Sequence, residues 1–199
     1  MTNDQWKMEN ALLLALMAAL ELLIPDPSLV LLVGPAGAGK STFAARHFRP
    51  TEIVSSDRCR AMISDDESDQ SVTAAAFGLL HHLARVRMEA GRLTVIDATN
   101  LQFKSRRPLL SMAHTYNFPL LAVVFNLSLE TCLTRNLARP ARFVSEEVIE
   151  QHTQDLALTL RRLEREGYER IYVLNEEEAA HAVIRRIHRR VDRQLSPPA

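Results

Sequence analysis

The sequence predicts an α/β fold built on a parallel sheet with helices on both faces, and three observations predict it. Short apolar runs recur at 29–33, 51–54, 93–96, 120–127 and 171–174, helix-length segments separate them, and a glycine-rich turn follows the first run at once. Strands that read as continuous apolar runs need cover on both faces, which a parallel sheet between helices provides. With 199 residues and 47% apolar side chains, the chain has enough material for one core. One domain with appendages is therefore expected.

Taken in order, residues 11–20 are continuously apolar, Glu21 interrupts the run and Pro25 ends it. The run is too short to cross a bilayer. Lys7 ahead of it is offset by Asp4 and Glu9, so the positive leading region of a secretory signal is absent. We expect an N-terminal helix within residues 1–24, appended to a domain over 25–199. Being apolar nearly all round, it must be covered by that domain or by a second copy of the chain, a homodimer. Pro25-Asp26-Pro27 reads as a linker. Helices are expected over 40–47, 71–90, 104–115, 129–138, 146–166 and 176–195, with the acidic stretch 65–69 as a surface loop.

Composition excludes several function classes. The 24 Lys and Arg balance 24 Asp and Glu, so the bulk basic excess of a protein that coats long nucleic acid is missing. Any polynucleotide contact must be local. Cys59 and Cys132 form neither a disulfide framework nor a zinc spacing, which fits a reducing cytoplasm. His81, His82, His152 and His181 lack metal-ligand partners at suitable spacing and read as surface or half-buried helix residues. Arg185, Arg186, Arg189, Arg190 and Arg193 read as a basic face near the end of the last helix, a placement the helix dipole favours.

Chemistry concentrates after the first strand. Residues Gly34, Pro35, Ala36, Gly37, Ala38, Gly39, Lys40 and Ser41 match G-x-x-x-x-G-K-[ST] between a buried strand and a helix, the context this P-loop requires. Its main-chain N–H groups and the positive helix end hold phosphate oxygens. Lys40 is expected to bridge the β and γ phosphates of ATP or another nucleoside triphosphate, Ser41 to ligate Mg2+, and Thr42 to complete the donor set. The motif names the donor and leaves the acceptor open.

The second strand ends in Ser55-Ser56-Asp57, and in such a sheet the C-terminal strand ends face the nucleotide. A hydroxyl nucleophile needs a carboxylate to take its proton and aim it, so Asp57 is the candidate base, although Asp there also suits a helix cap. Arg60, three residues on, returns to the same side and suits an acceptor phosphate. Asp97, ending the third long strand in Asp97-Ala98-Thr99-Asn100, has the position of a Walker B carboxylate holding magnesium through water. Arg135 and Arg139 stand four apart on one helix face, with Arg142 past Pro140, as a lid over about 135–166.

Together, Gly34 to Ser41, the stretch Ser55-Ser56-Asp57-Arg58-Cys59-Arg60, the acidic loop ending in Asp69-Gln70, the Asp97-Ala98-Thr99-Asn100 tetrad and Arg135 with Arg139 resemble the kinase module of bacterial polynucleotide kinase-phosphatases. The resemblance covers about 24–184. It implies a P-loop kinase fold, Asp57 as general base, Arg60 and Gln70 with Asp97 on the substrate side, and Arg135 and Arg139 on the donor phosphates. It further implies magnesium dependence and transfer to 5′-OH ends of DNA or RNA in repair. The phosphatase and ligase-like modules that commonly accompany that kinase have no room in this chain, so 3′-phosphate removal is not expected of it. A small-molecule kinase or nucleotide-sugar-modifying toxin, and a nucleotide-dependent switch, share the cradle and remain the alternatives.

Overall fold

The computed structural model describes residues 20–138 and 144–188. Strand β1 (Glu21–Asp26) comes first, then β2 (Leu29–Val33), helix α1 (Lys40–His47), β3 (Ile53–Ser55) and α2 (Ser56–Ser64). A 3-10 turn (Gln70–Val72) leads into α3 (Thr73–Glu89), followed by β4 (Thr94–Asp97), α4 (Phe103–Thr115) and β5 (Leu120–Phe125). The remainder is α5 (Leu129–Leu137), α6 (Glu146–Leu163), β6 (Arg170–Leu174), α7 (Glu176–His181) and β7 (Val183–His188). Five strands pair in the order β3-β4-β2-β5-β6, every pairing parallel. The predicted fold class is the observed one.

Why β2 lies at the centre is visible in its sequence. All five of its residues are apolar and fully buried, and because side chains alternate across a strand, Leu29, Leu31 and Val33 enter one core while Val30 and Leu32 enter the other. The first core takes α3, α4 and α6 through Leu80, Met88, Leu109, Leu156 and Leu163; the second takes α1 through Phe43 and Ala44. This two-sided burial forces the parallel strands to end together. At their C-terminal edge lie the cradle after β2, Asp57 after β3 and Asp97 closing β4. Among the described residues no helix is long and apolar enough to cross a membrane.

Two expectations are corrected. Residues Glu21–Asp26 are not the end of an appended helix and a linker; they form a strand paired in parallel with Val183–His188, from Glu21 opposite Val183 to Asp26 opposite His188. Correspondingly, the helix expected over 176–195 stops at His181, and β7 follows. The arginines there gave a helical reading, yet the β-branched Val183, Ile184 and Ile187 sit well on a strand. The Tyr172 hydroxyl ties β1 to the main sheet, accepting from Leu23 N–H at 3.0 Å and donating to Leu23 O at 3.1 Å. Of the appended helix predicted within 1–24, residues 1–19 lie outside the described residues.

The small sheet is latched by charge. Arg186 on β7 donates to both Glu52 oxygens at 2.8 and 2.7 Å and to Asp26 at 3.4 Å. Arg185 pairs with Glu21, so neither arginine belongs to a helical basic face. Burial alone would raise the Glu52 carboxyl, but the Arg186 hydrogen bonds and the Arg49 N–H outweigh it and hold the group below the usual glutamate range. A lowered folded value means a contribution present above the unfolded value near about 4.3 and lost as the pH falls through the folded one. Glu52→Gln is therefore expected to lower stability by about 2 kcal/mol at pH 7. In urea titrations at successively lower pH, the gap from the parent chain should close below that range.

Candidate active site

Glycines at three positions shape the cradle, and at Gly37 and Gly39 the backbone geometry itself calls for glycine. Gly37 has φ +81°, and a Cβ there would lie 2.2 Å from the carbonyl oxygen of Cys132. Gly39, with φ +87°, is the N-cap of α1 and offers no side chain, so the helix start is open to a ligand. Gly34, immediately after β2, donates its N–H to Thr99 O at 3.0 Å, stitching the cradle to the loop after β4. Lys40 is buried and its Nζ donates to Gly34 O at 2.9 Å and Pro35 O at 2.6 Å, an ammonium held at the rim of the turn.

A cavity of 610 Å³ opens on one side of the cradle. Its walls bring together Lys40, Ser41, Asp57, Arg60, Gln70 and Asp97, residues drawn from four separate sequence stretches. Asp57 is not the cap of α2: Ser55 is, its Oγ accepting from Arg58 N–H, and Asp57 sits in the first turn with its carboxylate facing outward to the cavity. Arg60 donates from Nη1 to Asp57 Oδ1, and Ser56 Oγ donates to the same oxygen at 3.3 Å. The Arg60 residue is only 6% exposed, and its Nε has no hydrogen-bond partner among the described residues. A buried guanidinium N–H without an acceptor is costly.

The floor of this cavity is braced from below. Asn100, at φ +49°, donates from Nδ2 to Leu32 O at 2.8 Å. Arg106 lies beneath the same loop with its side chain 1% exposed, donating to Asn100 O at 2.7 Å and Leu101 O at 2.9 Å while pairing with both oxygens of Glu166. The thiols of Cys59 and Cys132 are buried, and that burial pushes both up, away from the thiolate form that would react.

On the other side of the cradle a second cavity of 310 Å³ is walled by Thr42, Phe43, Arg46, Phe125, Arg135 and Glu176, among others. Arg135 therefore lies away from Asp57, over the glycines: a Cβ on Gly39 would come within 3.3 Å of its Nη1. It is held there by Glu176 at 2.8 Å. Arg46 closes the wall by donating to Ala180 O at 2.7 Å. Arg139 and Arg142, the other lid arginines of the sequence reading, lie outside the described residues.

Sequence reasoning missed three groups at these cavities. His152, set aside as an ordinary helix residue, lines the larger cavity with Asp155, and its Nδ1 accepts from the Ala36 N–H of the cradle at 3.4 Å. Phe77 on α3 lines the same cavity, and Glu176 holds the donor-side arginine. The four-residue step from Val148 to His152 was visible, but which face of α6 meets the cradle is decided by tertiary packing. Among the described residues no cluster of three or more His, Cys, Asp or Glu could hold a metal ion. Ser41 and Asp97 do offer oxygen ligands in one cavity beside Lys40, a hard donor pair suited to magnesium.

Comparison with known proteins agrees with this geometry. The AAA domain family matches residues 29–163. No curated protein matches the chain. Among solved structures, a chain of the Pnkp1/Rnl/Hen1 RNA repair complex is similar with TM-score 0.61 and 26% identity, covering 69% of this chain and 46% of that one. This chain thus spans less than half of that relative's length. A putative kinase from Chloroflexus aurantiacus (TM-score 0.52, 16% identity, 75% of this chain, 88% of that chain) shares the fold. So does a chain from the PezAT toxin-antitoxin system of Streptococcus pneumoniae (TM-score 0.53, 18% identity, 89% and 80%).

Proposed function

The chain belongs to the AAA domain family, with the architecture of a P-loop kinase, and from that premise we propose that it is a polynucleotide 5′-hydroxyl kinase. The observation that carries the reading is the Asp57–Arg60 pair, set in the larger cavity beside Lys40. Asp57 takes the proton of an acceptor hydroxyl as its oxygen attacks the γ-phosphorus of a nucleoside triphosphate. The new O–P bond forms as the bond from the γ-phosphorus to the β,γ-bridging oxygen breaks, and a nucleoside diphosphate leaves. Arg60, which lines this cavity and holds Asp57, would suit an acceptor with an anionic group close to its hydroxyl, as the terminal nucleotide of a nucleic acid has.

Around that step the other residues divide by side. The cradle N–H groups and Lys40 hold the triphosphate, Arg135 approaches it from the donor cavity, and Gln70 lines the acceptor wall. Ser41 and Asp97 would hold magnesium, which when bound neutralises charge on the phosphate oxygens. The likeness to a chain of an RNA repair complex supports a polynucleotide acceptor. A small-molecule acceptor is the second reading, favoured by a cavity of 610 Å³, a size common for small ligands.

Labelled γ-phosphate offered with magnesium to matched oligonucleotides carrying a 5′-hydroxyl or a 5′-phosphate, and to a panel of sugars and nucleosides, separates these. Label on the 5′-hydroxyl oligonucleotide alone is expected. Label on a small molecule alone, or release of phosphate whatever the acceptor, would overturn the acceptor assignment.

A further inference from the structure

The lid helices lie on both sides of the cradle, and a pair of hydrogen bonds joins them. On the donor side, α5 carries Arg135 to the smaller cavity. One residue later Asn136, only 3% exposed, donates from Nδ2 to Val144 O at 2.8 Å and accepts from Val144 N–H at 3.3 Å. Val144 leads into α6, and from there Val148, His152 and Asp155 follow at helical spacing along the acceptor cavity. The C-terminal half of α6 is anchored by buried Leu156 and Leu163 and by Thr159, whose hydroxyl donates to Leu101 O. Its N-terminal half meets the cradle through His152, which accepts from Ala36 N–H.

We propose that His152 is a positioning residue that docks the lid on the phosphate cradle at Ala36, and that through Asn136 and Val144 this docking also sets Arg135 on the donor side. The inference rests on the phosphotransfer reading of the site and adds a residue to it. An imidazole suits the task because an unprotonated Nδ1 accepts while the ring hydrogen sits on Nε2; lysine and arginine have no acceptor, and an apolar side chain would leave the Ala36 N–H without this partner. At 3.4 Å the contact is at the long end of the hydrogen-bond range. Asn136 carries the consequence across the cradle, because it is bonded to both the N–H and the carbonyl of Val144 and cannot shift independently of α6.

Two variants test this. His152→Phe keeps a ring of similar shape and removes the acceptor, whereas His152→Asn keeps an acceptor oxygen close to the Nδ1 position. In γ-phosphate transfer, His152→Phe is expected to lower kcat by about 10-fold, with donor KM changing little because the cradle main chain still holds the triphosphate. His152→Asn should recover most of that loss. Equal turnover of His152→Phe and the parent chain, or equal impairment of the two variants, would overturn the proposal. Backbone hydrogen exchange over residues 146–152, measured without nucleotide, tests docking independently of the acceptor. Faster exchange in His152→Phe than in the parent and in His152→Asn supports it; equal rates in all three defeat it even where transfer to oligonucleotides succeeds. Failure of the parent chain to phosphorylate any acceptor, with that exchange difference intact, would overturn the function while leaving the docking in place.

Discussion

Asp57→Asn should lower phosphate transfer to a 5′-hydroxyl end by about 10³-fold, the scale on which a positioned general base acts. Asparagine keeps the shape and can still accept from Arg60 and Ser56 through its carbonyl, but it cannot take up the proton of the attacking hydroxyl. Triphosphate affinity should stay within about 3-fold, since in the proposed arrangement the donor would be held by the cradle main chain and Lys40, on other elements. Initial rates with labelled γ-phosphate and binding of a non-hydrolysable triphosphate analogue give the two numbers. If Asp57→Asn phosphorylates an oligonucleotide at the parent rate, Asp57 is not the base. Loss of both transfer and donor binding in the same variant would place Asp57 in the donor site.

Arg106→Met should destabilise the fold by about 3–5 kcal/mol, the scale for breaking a buried ion pair by removing one partner. Glu166 would keep a carboxylate whose side chain is only 4% exposed, and the carbonyls of Asn100 and Leu101 would lose their shared donor. Those carbonyls belong to the loop that carries Asp97 and receives the Gly34 N–H, so the cavity floor should loosen as well. Thermal and urea unfolding measure the first effect. The double variant Arg106→Met, Glu166→Leu measures the pair: removing both charges should return much of the loss. If the single variant unfolds at the parent midpoint, the pair contributes nothing to stability.

How much of this was legible beforehand follows from where each residue's information lies. The cradle, Asp57 and Asp97 sit at strand ends or just after them, and Arg60 follows one turn on from Asp57, so parallel strands bring them to one edge of the sheet; Gln70, between α2 and α3, was placed only by the family resemblance. Local sequence was therefore enough to place all of these except Gln70 in one cavity. Arg135 was read as a lid arginine on the donor phosphates, and the structure sets it in the smaller cavity, away from Asp57. His152, Phe77 and Arg106 are different in kind: each is an ordinary residue on a long helix, and its role depends on which helix face packs against which loop. The strands at 21–26 and 183–188 were hidden for a further reason. Each takes a partner more than 150 residues away, and neither a proline-containing stretch nor an arginine-rich one advertises a strand.

That distant pairing has a consequence for how the chain assembles. Residues 21 and 183 are far apart in sequence, but β2 and β6, which flank them, already lie in the main sheet, so the core's own strand pairings meet most of the closure cost. Tyr172 and Glu52, which receive the two strands, are themselves positioned only when β6 and the start of β3 are in place. The small sheet is thus expected to form after the core, as a clasp fastened on it, an order that folding kinetics of variants in β1 and β7 would test. If it forms late, loss of its stability should speed unfolding more than it slows folding.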